Sequence, residues 1–115
     1  MSIEGTRRLL QGERAATAQR IAEFVGQIND IVASSADASV DDEHDPEGST
    51  IAFERAQTQS LLDQARRRLE SFDGALHRLG EGTYGTCQRC GRPISSERLA
   101  AQPAAETCIV CASLR

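Results

Sequence analysis

A chain of 115 residues makes one domain, or one small domain with an appendage. Aromatic residues are only 3% of it and tryptophan is absent, which excludes a thick globular core and demands a staple such as a metal, a disulfide or a long helix pairing. A net charge of −4 argues against a protein whose main task is gripping nucleic-acid phosphates, and no apolar run has transmembrane length.

The start, Met1-Ser2-Ile3-Glu4-Gly5, is polar, so no signal peptide is expected and the protein should stay cytoplasmic, with its cysteines reduced. Leu10, Arg14, Thr17, Ile21, Phe24, Ile28 and Ile31 then recur at alternating spacings of four and three. That stripe predicts a helix over residues 6–34 lying along a partner helix. Residues 35–50 lose the pattern and become polar. Within them Asp41, Asp42, Glu43, Asp45 and Glu47 fall in seven residues with no basic residue between.

Asp45 followed by Pro46 is a good helix opening, an acidic cap with proline at the first helical position. A second stripe, Ile51, Arg55, Thr58, Leu62, Ala65, Leu69, Phe72, Leu76 and Leu79, predicts a helix from Pro46 or Ser49 to Leu79, with Gly80 as its stop. The expected architecture is mainly α: an antiparallel two-helix coiled-coil hairpin over 1–79 with an acidic tip at 41–49, then a small four-cysteine zinc finger with short C-terminal helices over 80–115.

Cys87, Cys90, Cys108 and Cys111 form Cys-x2-Cys-x17-Cys-x2-Cys, within the spacing of a four-thiolate zinc site. Two residues between thiols let the chain bend both sulfurs onto one ion, and Gly91 suits the tight turn that follows. Four soft ligands close a tetrahedral shell with no position open for substrate, so the expected Zn2+ is structural. A thioredoxin-like pair lacks its βαβ surroundings and disulfides disagree with the compartment; an iron–sulfur site is the other competitor. His44 and His77 have no place in a completed shell.

The acidic tip, taken by composition, is a solvated loop; placed at the end of a hairpin, it is a charge that a larger partner's basic or metal-containing cleft could receive. No nucleophile stands with a base, and no carboxylate has an evident general acid, so no enzyme is expected. Arg66, Arg67 and Arg68 point about 100° apart on a helix and form no single patch. The segment from Gly80 to Arg115 carries four Arg against three acids, which gives a zinc-finger nucleic-acid binder no basic stripe. A redox-sensing adaptor is chemically open to four thiolates but leaves the acidic tip without a role.

The stretch Gly82-Thr83-Tyr84-Gly85-Thr86-Cys87-Gln88-Arg89-Cys90-Gly91, continued by Ile94, Arg98, Pro103, Cys108 and Cys111, resembles the zinc module of the bacterial DksA/TraR family. The resemblance covers about 30 residues, and the hairpin before them looks like the family's coiled coil. It implies a transcription regulator that attaches to RNA polymerase at the secondary channel, does not bind DNA sequence-specifically by itself, and brings Asp42 and Asp45 near the polymerase active site. The alarmone ppGpp is a possible partner that no residue here supports; no membrane partner is implied. The implied tip motif is Asp-x-x-Asp-x-Ala; here Asp42-Glu43-His44-Asp45-Pro46-Glu47 keeps both Asp and puts Glu47 in place of Ala. Gln88 stands where an acidic residue or Ser is usual. Tyr84 and Ile94 are expected to pack the finger on the hairpin base, and Arg98 to reach a carboxylate or carbonyl unless it is simply a surface residue on the short helix opened by Ser95-Ser96-Glu97.

Overall fold

The computed structural model describes residues 2–37 and 46–114. The fold is mainly α and contains a helical hairpin. Four helices are described: α1 (Ile3–Asp37), α2 (Pro46–Glu81), α3 (Ser96–Ala101) and α4 (Ile109–Ala112). The extended pairing among the described residues is an isolated antiparallel bridge between Thr86 and Pro93. None of the described helices is long and apolar enough to cross a membrane. The chain divides into two compact units, Met1–Ala16 with Arg68–Arg115, and Thr17–Arg67.

In the first unit, α1 begins three residues earlier than the stripe suggests, because Ser2 supplies a start the apolar periodicity does not register. Its hydroxyl accepts from the Gly5 N–H at 3.0 Å and its carbonyl from the Thr6 N–H at 2.9 Å, satisfying donors that a helix start leaves orphaned. The core of this unit joins Leu10 to Phe72, Ala75 and Leu79, with Leu76, Tyr84 and Ala104 packed against it. Phe72 is 2% exposed, and burial of a side chain of that size contributes about 1.5–3 kcal/mol. Arg14 pairs with Asp73 and Arg68 with Glu13, the latter at 3.7 Å, so ion pairs flank the contact between α1 and α2 here. Arg68 also lies 5.0 Å from the centre of the Phe72 ring. The basic run therefore contributes a residue to the seam edge.

Helix α2 passes through the expected stop at Gly80 and ends one residue later, at Glu81. Gly82 takes a φ of +83°, the Thr83 N–H reaches back to the Arg78 carbonyl at 2.9 Å, and the Gly82 N–H reaches that of Leu79 at 3.4 Å. This paired closure needs a left-handed residue after the last helical one, which glycine adopts without strain. Gly80 is an ordinary, exposed helical position.

In the second unit, Thr17 on α1 and Thr58, Leu62 and Ala65 on α2 are buried, while Ile21, Phe24, Ile28, Ile31 and Ile51 are half-buried. These are the stripe positions. Arg55, also on the stripe, is exposed, as expected of a long side chain that lays its stem along the seam and keeps its charge in water. Arg20 lies 5.5 Å from the Phe24 ring centre, and the Gln59 amide donates to Asp63 at 3.0 Å.

Candidate metal centre

The finger begins at the turn that ends α2. Glycines at 85 and 91 both take positive φ, +86° and +76°. Between them the Cys87 N–H donates to the Arg92 carbonyl at 2.8 Å, and the Ile94 N–H to that of Gly85 at 2.7 Å. The chain thus doubles back and presents Cys87 and Cys90 on one loop. The Gly91 N–H closes it onto the Cys87 carbonyl at 2.9 Å, and the Cys90 N–H points at the Cys87 sulfur, 3.5 Å away.

The second cysteine pair repeats the device at a helix start. Cys108 is the N-cap of α4, and its sulfur accepts from the Cys111 N–H at 3.5 Å. Two contacts hold this loop against the first, the Gln88 N–H to the Glu106 carbonyl at 2.8 Å and Arg89 to the Cys111 carbonyl at 3.5 Å, and Arg98 Nε ties it to α3 through the Thr107 carbonyl at 2.8 Å. Arg98 therefore reaches a carbonyl immediately before Cys108, from a helix that Ser95 caps.

All four sulfurs lie within 4.8 Å of one another. Cys87 and Cys111 are buried, Cys108 half-buried and Cys90 exposed, and all four are free thiols. The Cys90 and Cys108 sulfurs are 3.8 Å apart, far beyond a disulfide bond. A tetrahedral shell with metal–sulfur bonds of about 2.3 Å has edges of about 3.8 Å, so the cluster has the dimensions that one four-thiolate ion requires. Its electrostatics are uneven. The backbone N–H of Cys90 draws the Cys87 thiol down to about 6, and that of Cys111 lowers Cys108; burial first, then the neighbouring sulfurs, push Cys111 up to about 12. Backbone donors thus prepare two thiolates, and a cation is the natural counterpart for the crowded remainder.

Ile94 does not pack on the hairpin base as expected. It is buried with Cys87 and Cys111 inside the finger, where Leu99 and Cys108 also pack. The finger has its own small core, and an isolated large apolar residue went to the nearer one. Tyr84 does join the hairpin core, and its hydroxyl donates to the Pro103 carbonyl at 2.8 Å. His77 is exposed and contacts Glu81 at 3.0 Å. The tip residues Asp41, Asp42, Glu43, His44 and Asp45 lie outside the described residues.

Arg78 escaped the sequence reading. It is 9% exposed, with its guanidinium 3.5 Å from the Ala104 carbonyl and 3.7 Å from Glu106. A single four-and-three stripe describes a helix buried on one side. Here the finger covers a second side of α2, so Ala75 and Arg78 are buried as well. An arginine three residues after a small apolar one, ahead of a metal module, was the available signal.

The chain is thus a helical-hairpin protein carrying a compact four-cysteine module. Residues 82–115 match the family described as the prokaryotic dksA/traR C4-type zinc finger. General stress protein 16O of Bacillus subtilis is 32% identical over 94 residues, which cover 82% of this chain and 52% of that protein. The RNA polymerase-binding transcription factor DksA of Caulobacter vibrioides is 38% identical over 52 residues, 45% of this chain and 37% of that protein. The structure of transcription factor DksA2 from Pseudomonas aeruginosa superimposes with a TM-score of 0.78 at 28% identity, covering 96% of this chain and 79% of that one. Residues 82–115 are thus a C4-type zinc-finger module of the DksA/TraR family, and the chain as a whole is similar in fold to DksA2. It spans about half the length, or less, of these two sequence relatives.

Proposed function

We propose that this protein is a non-catalytic transcription regulator that binds RNA polymerase in its secondary channel and modulates initiation through its acidic tip. The observation that carries the reading is a four-thiolate cluster set beside a helical hairpin, in a chain whose fold matches DksA2 over 96% of its length. Cys87, Cys90, Cys108 and Cys111 hold Zn2+, whose closed thiolate shell supplies folding free energy and no reactive position. Asp42 and Asp45 are the residues that approach the polymerase active site; Glu47, where the motif has Ala, adds a further carboxylate to that tip. The domain assignment is a hairpin over 1–79 that reaches the enzyme and a module over 80–115 that anchors it. The protein acts in the cytoplasm and makes no sequence-specific contact with DNA.

The test has two parts. Purified chain is passed over immobilised RNA polymerase, and initiation is then measured with wild type, Asp42→Asn and Asp45→Asn. Retention by the polymerase, with promoter-complex lifetimes altered by wild type but not by the variants, supports the reading. Absence of retention defeats the binding, and variants indistinguishable from an active wild type defeat the tip mechanism.

A further inference from the structure

The segment from Pro103 to Thr107 forms neither helix nor strand, yet four of its carbonyls are held by four separate parts of the chain. The Tyr84 hydroxyl donates to the Pro103 carbonyl at 2.8 Å, and the Arg78 guanidinium reaches that of Ala104 at 3.5 Å. The Gln88 N–H donates to the Glu106 carbonyl at 2.8 Å, and Arg98 Nε to that of Thr107 at 2.8 Å. A connection with no ladder of its own takes its path from such outside donors. This one leads directly into Cys108, so its path decides where a metal ligand stands.

The contact nearest the ligand is that of Arg98. The Thr107 carbonyl shares a planar peptide unit with the Cys108 nitrogen, so fixing that oxygen fixes the plane from which Cys108 departs. Arg98 is half-buried on α3, whose first turn Ser95 caps by accepting the Arg98 N–H at 3.2 Å. The donor is therefore carried by a regular element. The first cysteine pair is set differently: its loop closes on itself through the Gly91 N–H and the Cys87 carbonyl at 2.9 Å. The guanidinium also brings positive charge to a module whose shell, four thiolates around a divalent cation, is net negative.

We propose that Arg98 is a positioning residue of the metal centre: through the Thr107 carbonyl it holds Cys108 where it completes the four-thiolate shell. Arg98 is not a ligand; it acts from outside one, as the groups that orient metal ligands commonly do. Its loss loosens the second cysteine pair and leaves the first in place. This inference rests on the reading of the four cysteines as a zinc site and extends it to a residue beyond them.

The full-length chain is compared with Arg98→Leu, which keeps apolar bulk and removes the donor, and with Arg98→Lys, which keeps a donor. Zinc affinity is measured against a chromophoric chelator, and cobalt(II) absorption reports the shell. Iodoacetamide labelling with peptide mapping ranks the four cysteines. Arg98→Leu should weaken zinc about 10–100-fold, alter the cobalt ligand-field bands, and speed alkylation at Cys108 and Cys111 more than at Cys87 and Cys90. Arg98→Lys should recover most of the affinity, since one donated bond is what the carbonyl requires. Ser95→Ala, which uncaps α3 beneath the arginine, should give the same pattern at smaller amplitude. It decides the matter if Arg98→Leu does not fold, and its indifference would then sink the idea. Unchanged affinity and spectrum in Arg98→Leu would overturn the proposal. So would faster labelling spread evenly over all four cysteines, the mark of a finger loosened as a whole, or an Arg98→Lys no better than Arg98→Leu. A wild-type chain that gives no tetrathiolate cobalt spectrum would defeat the zinc reading itself, and the proposal with it.

Discussion

The Tyr84 hydroxyl donates to the Pro103 carbonyl over 2.8 Å, fastening the turn after α2 to the loop after α3. The same ring packs against the cluster of Leu10, Phe72, Ala75 and Leu79. One side chain therefore joins the hairpin core to the finger by an apolar contact and a polar one. Tyr84→Phe keeps the first and deletes the second, and should lower stability by about 0.5–1.5 kcal/mol, measured by thermal or urea unfolding of the metal-loaded chain.

Tyr84 also imposes an alkaline limit. Desolvation holds its phenol above the ordinary value of 10.0, against an opposing pull from the positive charge of Arg78. The folded state thus binds the phenolic proton more tightly than the unfolded chain does. The resulting stabilisation is complete below about pH 10 and is lost as pH rises through the folded pKa. Phenolate absorbance reports this residue alone and should give a midpoint above 10 in the native protein. Tyr84→Phe should lack the corresponding slope of stability against pH; an unshifted midpoint would refute the desolvation account.

Two glycines near the end of α2 should respond oppositely to the same substitution. Gly80 is helical and a Cβ there would meet nothing within 4 Å, so Gly80→Ala should stabilise by about 0.5–1 kcal/mol. Gly82 holds φ at +83° in the closing turn, so Gly82→Ala should destabilise by about 1–2 kcal/mol. Denaturant midpoints of the two variants measured side by side decide it, and equal signs would mean that the helix ends elsewhere.

This pair also marks where the sequence was legible and where it was not. The stripes from Leu10 to Ile31 and from Ile51 to Leu79 disclosed two helices, since a four-and-three alternation buries one face of a helix against another. The cysteine spacing disclosed which sulfurs would meet, because Cys-x2-Cys geometry is local. The choice between Gly80 and Gly82 was not local: either can end a helix, and the hydrogen bonds from Thr83 and Gly82 select the latter. Ile94 was assigned to the wrong core for a related reason. Hydrophobicity says that a residue is buried and leaves open which of two neighbouring clusters receives it. The cavity that Ile3, Leu9, Leu79 and Leu99 line left no trace in the periodicity, as it depends on α1, α2 and α3 meeting in space.

Metal removal should separate the finger from the helices. Chelation at neutral pH should collapse the native shifts of the Ile94 and Leu99 methyl signals towards random-coil values and expose all four thiols to alkylation, while much of the far-UV helical signal persists. Zinc should restore the finger with one equivalent. Its affinity should fall steadily from pH 8 to pH 6, because protons compete for the thiolates. Cys87, drawn down to about 6, is already largely ionised at pH 7, whereas Cys111, pushed up to about 12, must surrender its proton to the metal. Competition against a chromophoric chelator measures this, and an affinity independent of pH would exclude a four-thiolate site.

Arg78 and Glu106 form an ion pair whose two halves should prove unequal. The Arg78 side chain is 11% exposed and that of Glu106 57%, across 3.7 Å. The arginine also reaches the Ala104 carbonyl at 3.5 Å, beside an alanine that packs on the hairpin core. Glu106→Gln leaves the arginine's carbonyl contact intact, and an exposed pair of this kind is worth about 0–1 kcal/mol. Arg78→Ala removes that contact together with a buried aliphatic stem, so a loss of about 1–3 kcal/mol is expected. Arg14→Ala supplies the control, because its pairing with Asp73 is solvent-exposed on both sides and should be worth about 0–1 kcal/mol. Urea unfolding of the three variants and of the Arg78–Glu106 double variant should give a small coupling and a large single effect confined to Arg78. A coupling as large as that effect would relocate the stabilisation to the ion pair and remove the structural role assigned to the carbonyl contact.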